Sequence, residues 1–209
     1  MANHNQHAYP PAYEPGEGMK DNGQLATWLG LISTLFFIAT FVAANVYLRG
    51  WSPEVFSLSQ TSDLPYMSTL TLLLGAVAAV FTGNSFRKRA NGAFTIGLLV
   101  SAALFAASMV QEWLLIKEMA VLGPAAWTAY VTVYASQFIM LLISVILFVI
   151  AIAFHFRGNE KALKRFIPAS MSVWLFTLML GLGILLLTNV MTVEQFAEWC
   201  GVKFTGILK

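Results

Sequence analysis

The sequence has 209 residues, 58% of them apolar and only 11% charged, with a mean hydropathy of +0.71. Soluble domains run at about half apolar and a quarter charged, so the composition excludes an ordinary soluble fold and points to a chain embedded in lipid. Most of the bases behind the net charge of +2 read as topology signals, so no nucleic-acid partner is expected.

Residues 1–23, "MANHNQHAYPPAYEPGEGMKDNG", are polar, with Pro, Gly and two histidines and no apolar core of a signal peptide. They read as a flexible tail. A spanning helix needs roughly 20 mostly apolar residues, and such runs fall at 25–48, 66–86, 93–116, 128–156 and 166–190. The spacing predicts an all-α integral membrane bundle of five transmembrane helices over 24–191. A β-barrel would show strands of about 10 residues with alternating polarity, which these runs do not.

The first run contains "WLGLISTLFFIATFVAANVY", Trp28 to Tyr47, which has no charged side chain. "RGWSPEVFSLSQTSDLP" leads to the second helix, and "FRKRANG" forms a tight turn to the third. "KEMAVLGPAAWT" joins the third to the fourth, with Gly123 and Pro124 ending helical continuation. "FRGNEKALKRFIP" leads to the fifth, placing Pro168 in about its first turn, where a missing N–H costs little. In residues 192–209, Thr192 and Gln195 fit a capping box and Gly201 a helix stop. Val193, Phe196, Ala197 and Cys200 would share a face of a short helix lying on the outer surface.

Lys and Arg concentrate on the cytoplasmic side of membrane proteins. One set of loops holds Lys20, Arg87, Lys88, Arg89, Arg157, Lys161, Lys164 and Arg165; the other holds Arg49, Lys117, Lys203 and Lys209. That asymmetry predicts a cytoplasmic N-terminus and an external C-terminus.

Each span carries a stripe of small or polar residues at helical spacing. These are Thr27, Thr34 and Asn45; Thr71, Gly75, Ala79 and Gly83; Gly97, Ser101, Ser108 and Glu112; Gln137, Ser144, Ala151 and His155; and Ser170, Thr177, Gly181 and Thr188. In lipid, helices associate through close approach at small residues and hydrogen bonds of about 0.6–2 kcal/mol. Thr34, Asn45, Gly75, Ala79, Gly83, Ser144 and Gly181 are therefore expected to pack helices together.

Chemistry-bearing groups are few. His4 and His7 lie in the tail, and His155 sits at a helix end, so no metal site is expected in this chain. Cys200 is alone, without a Cys-x-x-Cys motif. Arg49, Glu112 and His155 all fall near predicted helix ends, so no proton relay can be drawn through the membrane. Glu112, beside Trp113, is read as a solvated interfacial carboxylate, able alternatively to meet a lipid ammonium group or a partner's base. Neither a Gly-x-Ser-x-Gly elbow nor a His-Glu-x-x-His pair occurs, and no catalytic residue is assigned.

The order of segments resembles subunit III of the haem-copper respiratory oxidases, in its five-helix form. Trp28, Ser33, Phe37 and Tyr47 match the family's first shared helix. "LPYMSTLTLLLG" is similar to the entry to the next, through Leu64, Pro65, Thr69, Leu72 and Leu73. Glu112-Trp113 resembles the Glu-aromatic pair of the third, and "VWLFTLMLG" the last helix. The sequence departs where the family has an acid (Thr34), an asparagine (Ser68), paired histidines in the fourth helix, and the His and Asp of the last, replaced by Pro168 and Met171.

The resemblance, covering roughly 20–190, implies a non-catalytic accessory subunit beside the haem-copper catalytic subunit I and other oxidase subunits in the bacterial inner membrane. It implies bound structural phospholipid, support of proton-coupled oxygen reduction, and haem and copper held only by the partners. Trp28, Arg87, Glu112 and Trp113 are the positions it suggests for lipid. Two alternatives stay open: an accessory subunit of another respiratory complex such as nitric oxide reductase, and a stand-alone small transporter or channel.

Overall fold

A computed structural model describes residues 17–51 and 63–190. The expected surface helix with Cys200, and the tail histidines His4 and His7, lie outside these residues. Among the described residues every element is helical: α1 (Glu17–Trp51), α2 (Leu64–Arg87), α3 (Asn91–Leu122), α4 (Pro124–Phe156) and α5 (Glu160–Leu185). A π-helical turn, Leu186–Val190, continues α5. All five helices are long and apolar enough to cross a membrane, the architecture of a multi-pass helical membrane protein.

The helices outrun their apolar segments, because polar residues extend a helix into water at no desolvation cost. α1 already begins at Glu17, inside the segment read as a tail. α5 starts at Glu160 because Asn159 caps it, its Oδ1 accepting the Ala162 N–H at 3.1 Å. Pro168 consequently lies more than two turns inside α5, not in its first turn. Its missing N–H cannot bond Lys164, the carbonyl four residues back.

The connection expected over "KEMAVLGPAAWT" shrinks to one residue. α3 runs on to Leu122, and α4 opens with Pro124 at its first position. Gly123, at φ +116°, makes the reversal, a backbone conformation that side chains rarely adopt.

α2 to α5 form a four-helix bundle in which α2 packs most extensively on α3, then α3 on α4, with α5 closing against both α4 and α2. α1 leans on the outside, packed against α4 and α5. Close approach is built from small residues. A Cβ at Gly75 would sit 2.9 Å from Phe105 Cδ2 and 3.2 Å from Leu104 Cβ, so the side chains of α3 pack directly on the bare α2 backbone there. Ala79 is fully buried beside it, and Gly83 faces the Met171 methyl. Gly181 lies against Gln137 and Leu72. At the centre, Trp174 stacks flat on Phe148, ring centroids 3.9 Å apart, and donates its indole N–H to the Ser144 carbonyl at 3.3 Å.

Candidate functional site

The polar stripes of α2 to α5 turn inward and tie the helices. Ser144 and Thr177 share a hydroxyl hydrogen bond at 2.9 Å between α4 and α5. Gln137 donates to the Thr177 carbonyl at 3.3 Å. On α1 only Asn45 of the stripe is fully buried; its Nδ2 donates to the Ala129 carbonyl of α4 at 2.6 Å. Arg49 adds a bond from its Nη1 to the Leu187 carbonyl at 3.0 Å. Thr34 is half-buried, and its hydroxyl donates back to the Gly30 carbonyl of its own helix at 2.8 Å.

Glu112 departs from the expectation of a solvated carboxylate. It is only 4% exposed, on the inward face of α3 and almost three turns before that helix ends at Leu122. The reason is the length of α3: an end near residue 116 would have put Glu112 in water, whereas the helix continues past it. Its Oε2 accepts the Ser68 hydroxyl at 3.1 Å. The Ser108 hydroxyl donates to the Ser68 carbonyl at 3.1 Å and lies 3.1 Å from the Ser68 Oγ. Ser68 has a single hydroxyl proton, so its bond to Glu112 competes with one to Ser108.

Around this trio α4 and the π-helical turn bring further polar groups. Asn189 Nδ2 donates to the Tyr134 hydroxyl at 3.2 Å and to the Thr188 hydroxyl at 2.7 Å. Thr188 in turn donates to the Ile184 carbonyl at 2.6 Å. The widened turn at Leu186–Val190 sets Thr188 and Asn189 against Tyr134, and such π-helical turns recur at functional sites. Ser68, Thr69, Glu112, Tyr134, Gln137 and Asn189 enclose a cavity of about 10 Å³. That is room for about one water molecule and too little for an organic substrate.

Within this seam Glu112 is a buried carboxyl whose hydrogen-bond donor is Ser68, and among the described residues no cation pairs with it. It can exchange hydrogen bonds or carry a proton. The titratable group beside Ser68 is the Glu112 carboxyl itself; the single described histidine, His155, lies elsewhere and bonds Thr95 at 2.7 Å near the start of α3. Among the described residues no three His, Cys, Asp or Glu side chains gather as metal ligands.

The four positions singled out for lipid do not meet. Trp28, on α1, and Arg87, at the end of α2, are exposed near the end of the bundle that carries the basic turns. Glu112 and Trp113 lie toward the other end and point apart, because successive helical residues diverge by about 100°. Trp113 is exposed, 5.7 Å from the Phe138 ring, with the Lys117 ammonium 5.5 Å over its face. Tyr134 and Asn189 escaped the sequence reading. Tyr134 lies three residues before Gln137 on one helical face, a spacing that could have marked it.

Compared with models of known protein families and with curated proteins, the chain matches none.

Proposed function

We propose that this chain is a non-catalytic accessory subunit, of the subunit III kind, in a terminal respiratory oxidase that reduces oxygen with electrons from cytochrome c or quinol. It packs beside the haem-copper catalytic subunit in the bacterial inner membrane, N-terminus in the cytoplasm, and supports proton-coupled turnover. Haem and copper belong to the partner subunits, and phospholipid is this chain's own ligand.

The reading is carried by the use of the interior polar groups: Asn45, Ser68, Ser144, Thr177 and Trp174 each bond from helix to helix. Between α1 and α5 runs a groove of about 680 Å³, lined by Leu35, Ile38, Val42, Phe176, Met179 and Ile184 among others. Its apolar walls suit the acyl chain of a bound phospholipid. A chain built this way supplies contact surface.

Purification of the tagged chain in mild detergent, followed by a visible absorption spectrum, tests the proposal. Haem a, b or o arriving with a larger multi-helix subunit is the expected result; a colourless chain purified alone overturns it.

Glu112 favours a second reading, a stand-alone proton or ion carrier, because ionisable groups inside a membrane bundle mark pathways. Flux across vesicles holding this chain alone would establish it, and their impermeability would dismiss it.

A further inference from the structure

The turns between α2 and α3 and between α4 and α5 close on each other over a cleft of about 530 Å³. Arg87, Arg89 and Lys164 line it, with half-buried Phe86 as its apolar side and the buried Phe94 and Leu163 packed behind. Phe94 holds that side in place, 5.2 Å from the Phe86 ring and 5.0 Å, edge-on, from His155.

Arg89 adopts φ 57°, the left-handed region that a residue with a side chain enters at some cost. This reversal puts two arginines of one short turn on a single cleft. Among the described residues no carboxylate pairs with Arg87, Arg89 or Lys164, although Glu160 also lines the cleft. The first turn of α3 adds its own positive end, since Ala90 offers no side chain to cap it.

Three cations against one carboxylate, beside the apolar wall that Phe86 presents at the end of a membrane-spanning bundle, combine two recognitions in one place. The cations suit a phosphate diester, and the wall suits the glycerol and the upper acyl carbons. Basic pockets between spanning helices recognise anionic lipid head groups in this manner. We infer that this cleft seats the phosphate of an anionic glycerophospholipid. A free phosphate would satisfy the cations and leave the wall unused. A neighbouring cleft of about 800 Å³, lined by Lys161, Lys164 and Arg165, shares Lys164 and deepens the positive field. The inference needs only the membrane spans and stands whether or not the partner is an oxidase.

Native mass spectrometry of the full chain, released from detergent with phosphatidylglycerol or with phosphatidylcholine of the same acyl chains, reads the preference directly. Phosphatidylglycerol is expected to be retained over phosphatidylcholine, and excess inorganic phosphate is expected to leave it bound. Arg87→Gln with Arg89→Gln should weaken retention about fivefold for each cation removed. Lys88→Gln with Arg157→Gln removes the same charge from residues outside the cleft and should change it little. Glu160→Gln should strengthen retention, a gain that misfolding cannot mimic. Equal retention of the two lipids, equal weakening by the two double variants, no gain from Glu160→Gln, or displacement by inorganic phosphate would each overturn the inference.

Discussion

At Thr34 a hydroxyl stands in an apolar helix, bonded to the Gly30 carbonyl one turn back. Such a bond satisfies the hydroxyl locally and makes no tie to another helix. Thr34→Ala should therefore leave the turnover and proton uptake of the proposed oxidase complex nearly unchanged; a large loss of uptake in that variant would contradict a local role. Glu112 is the opposite case, a carboxyl inside the bundle linked to Ser68 of α2. Glu112→Gln keeps size and acceptor, so its stability should stay within about 1 kcal/mol of the parent, while Glu112→Ala should cost about 1–3 kcal/mol by taking the carboxyl acceptor away from the buried Ser68 hydroxyl. Unfolding in detergent measures both. A Gln variant of parental stability that abolishes turnover would move Glu112 from packing to proton handling. That residue shows how far sequence reaches. Its place on the inward face was legible from Ser101 and Ser108 on the same stripe, but its depth was not, because depth depends on where α3 stops.

At the scale of elements, the five spans could be read because lipid demands long apolar runs and leaves no cheaper way to satisfy the backbone. Their ends were less legible. Helix termini are decided by local groups such as the Asn159 cap and the Gly123 reversal, which act outside the apolar segment and carry little periodic signal. The position of Pro168 was misread for this reason. Contacts between distant elements were least legible: Tyr134 and Asn189 meet across 55 residues of sequence, and no periodicity of either helix foretells the partner. The attachment of α1 yields a prediction at this level. It rests on α4, α5 and the π-helical turn, with Asn45 as its buried polar tie. Asn45→Leu should weaken that docking by about 1 kcal/mol. Hydrogen exchange should then speed along α1 and leave α2 unchanged; equal protection of α1 in variant and parent would mean that apolar contact and the Arg49–Leu187 bond hold it without Asn45.

For the whole molecule, the described cations divide by end. Arg87, Lys88, Arg89, Arg157, Lys161, Lys164 and Arg165 stand in the turns and adjoining helix ends at one end, and Arg49 and Lys117 toward the other. With the basic turns in the cytoplasm, reporters fused after residues 90 and 158 should show cytoplasmic activity, and one fused after 123 external activity. The reverse pattern would invert the molecule and move the proposed headgroup cleft to the outer leaflet. The stacked Phe148 and Trp174 and the close packing of α2 on α3 are unaffected by that choice, because they depend on helix contacts and not on which side faces the cytoplasm.

The lone glycine between α3 and α4 has a consequence for reach. Helices of 32 and 33 residues measure about 48–50 Å, whereas the hydrocarbon they cross is about 30 Å thick. With no slack at Gly123 to fold the surplus away, the hairpin must either lie steeply oblique or stand clear of the bilayer as a blunt two-helix post. A post of that kind gives a neighbouring protein a rigid handle above the lipid, well away from the greasy flanks where contact would otherwise be sought.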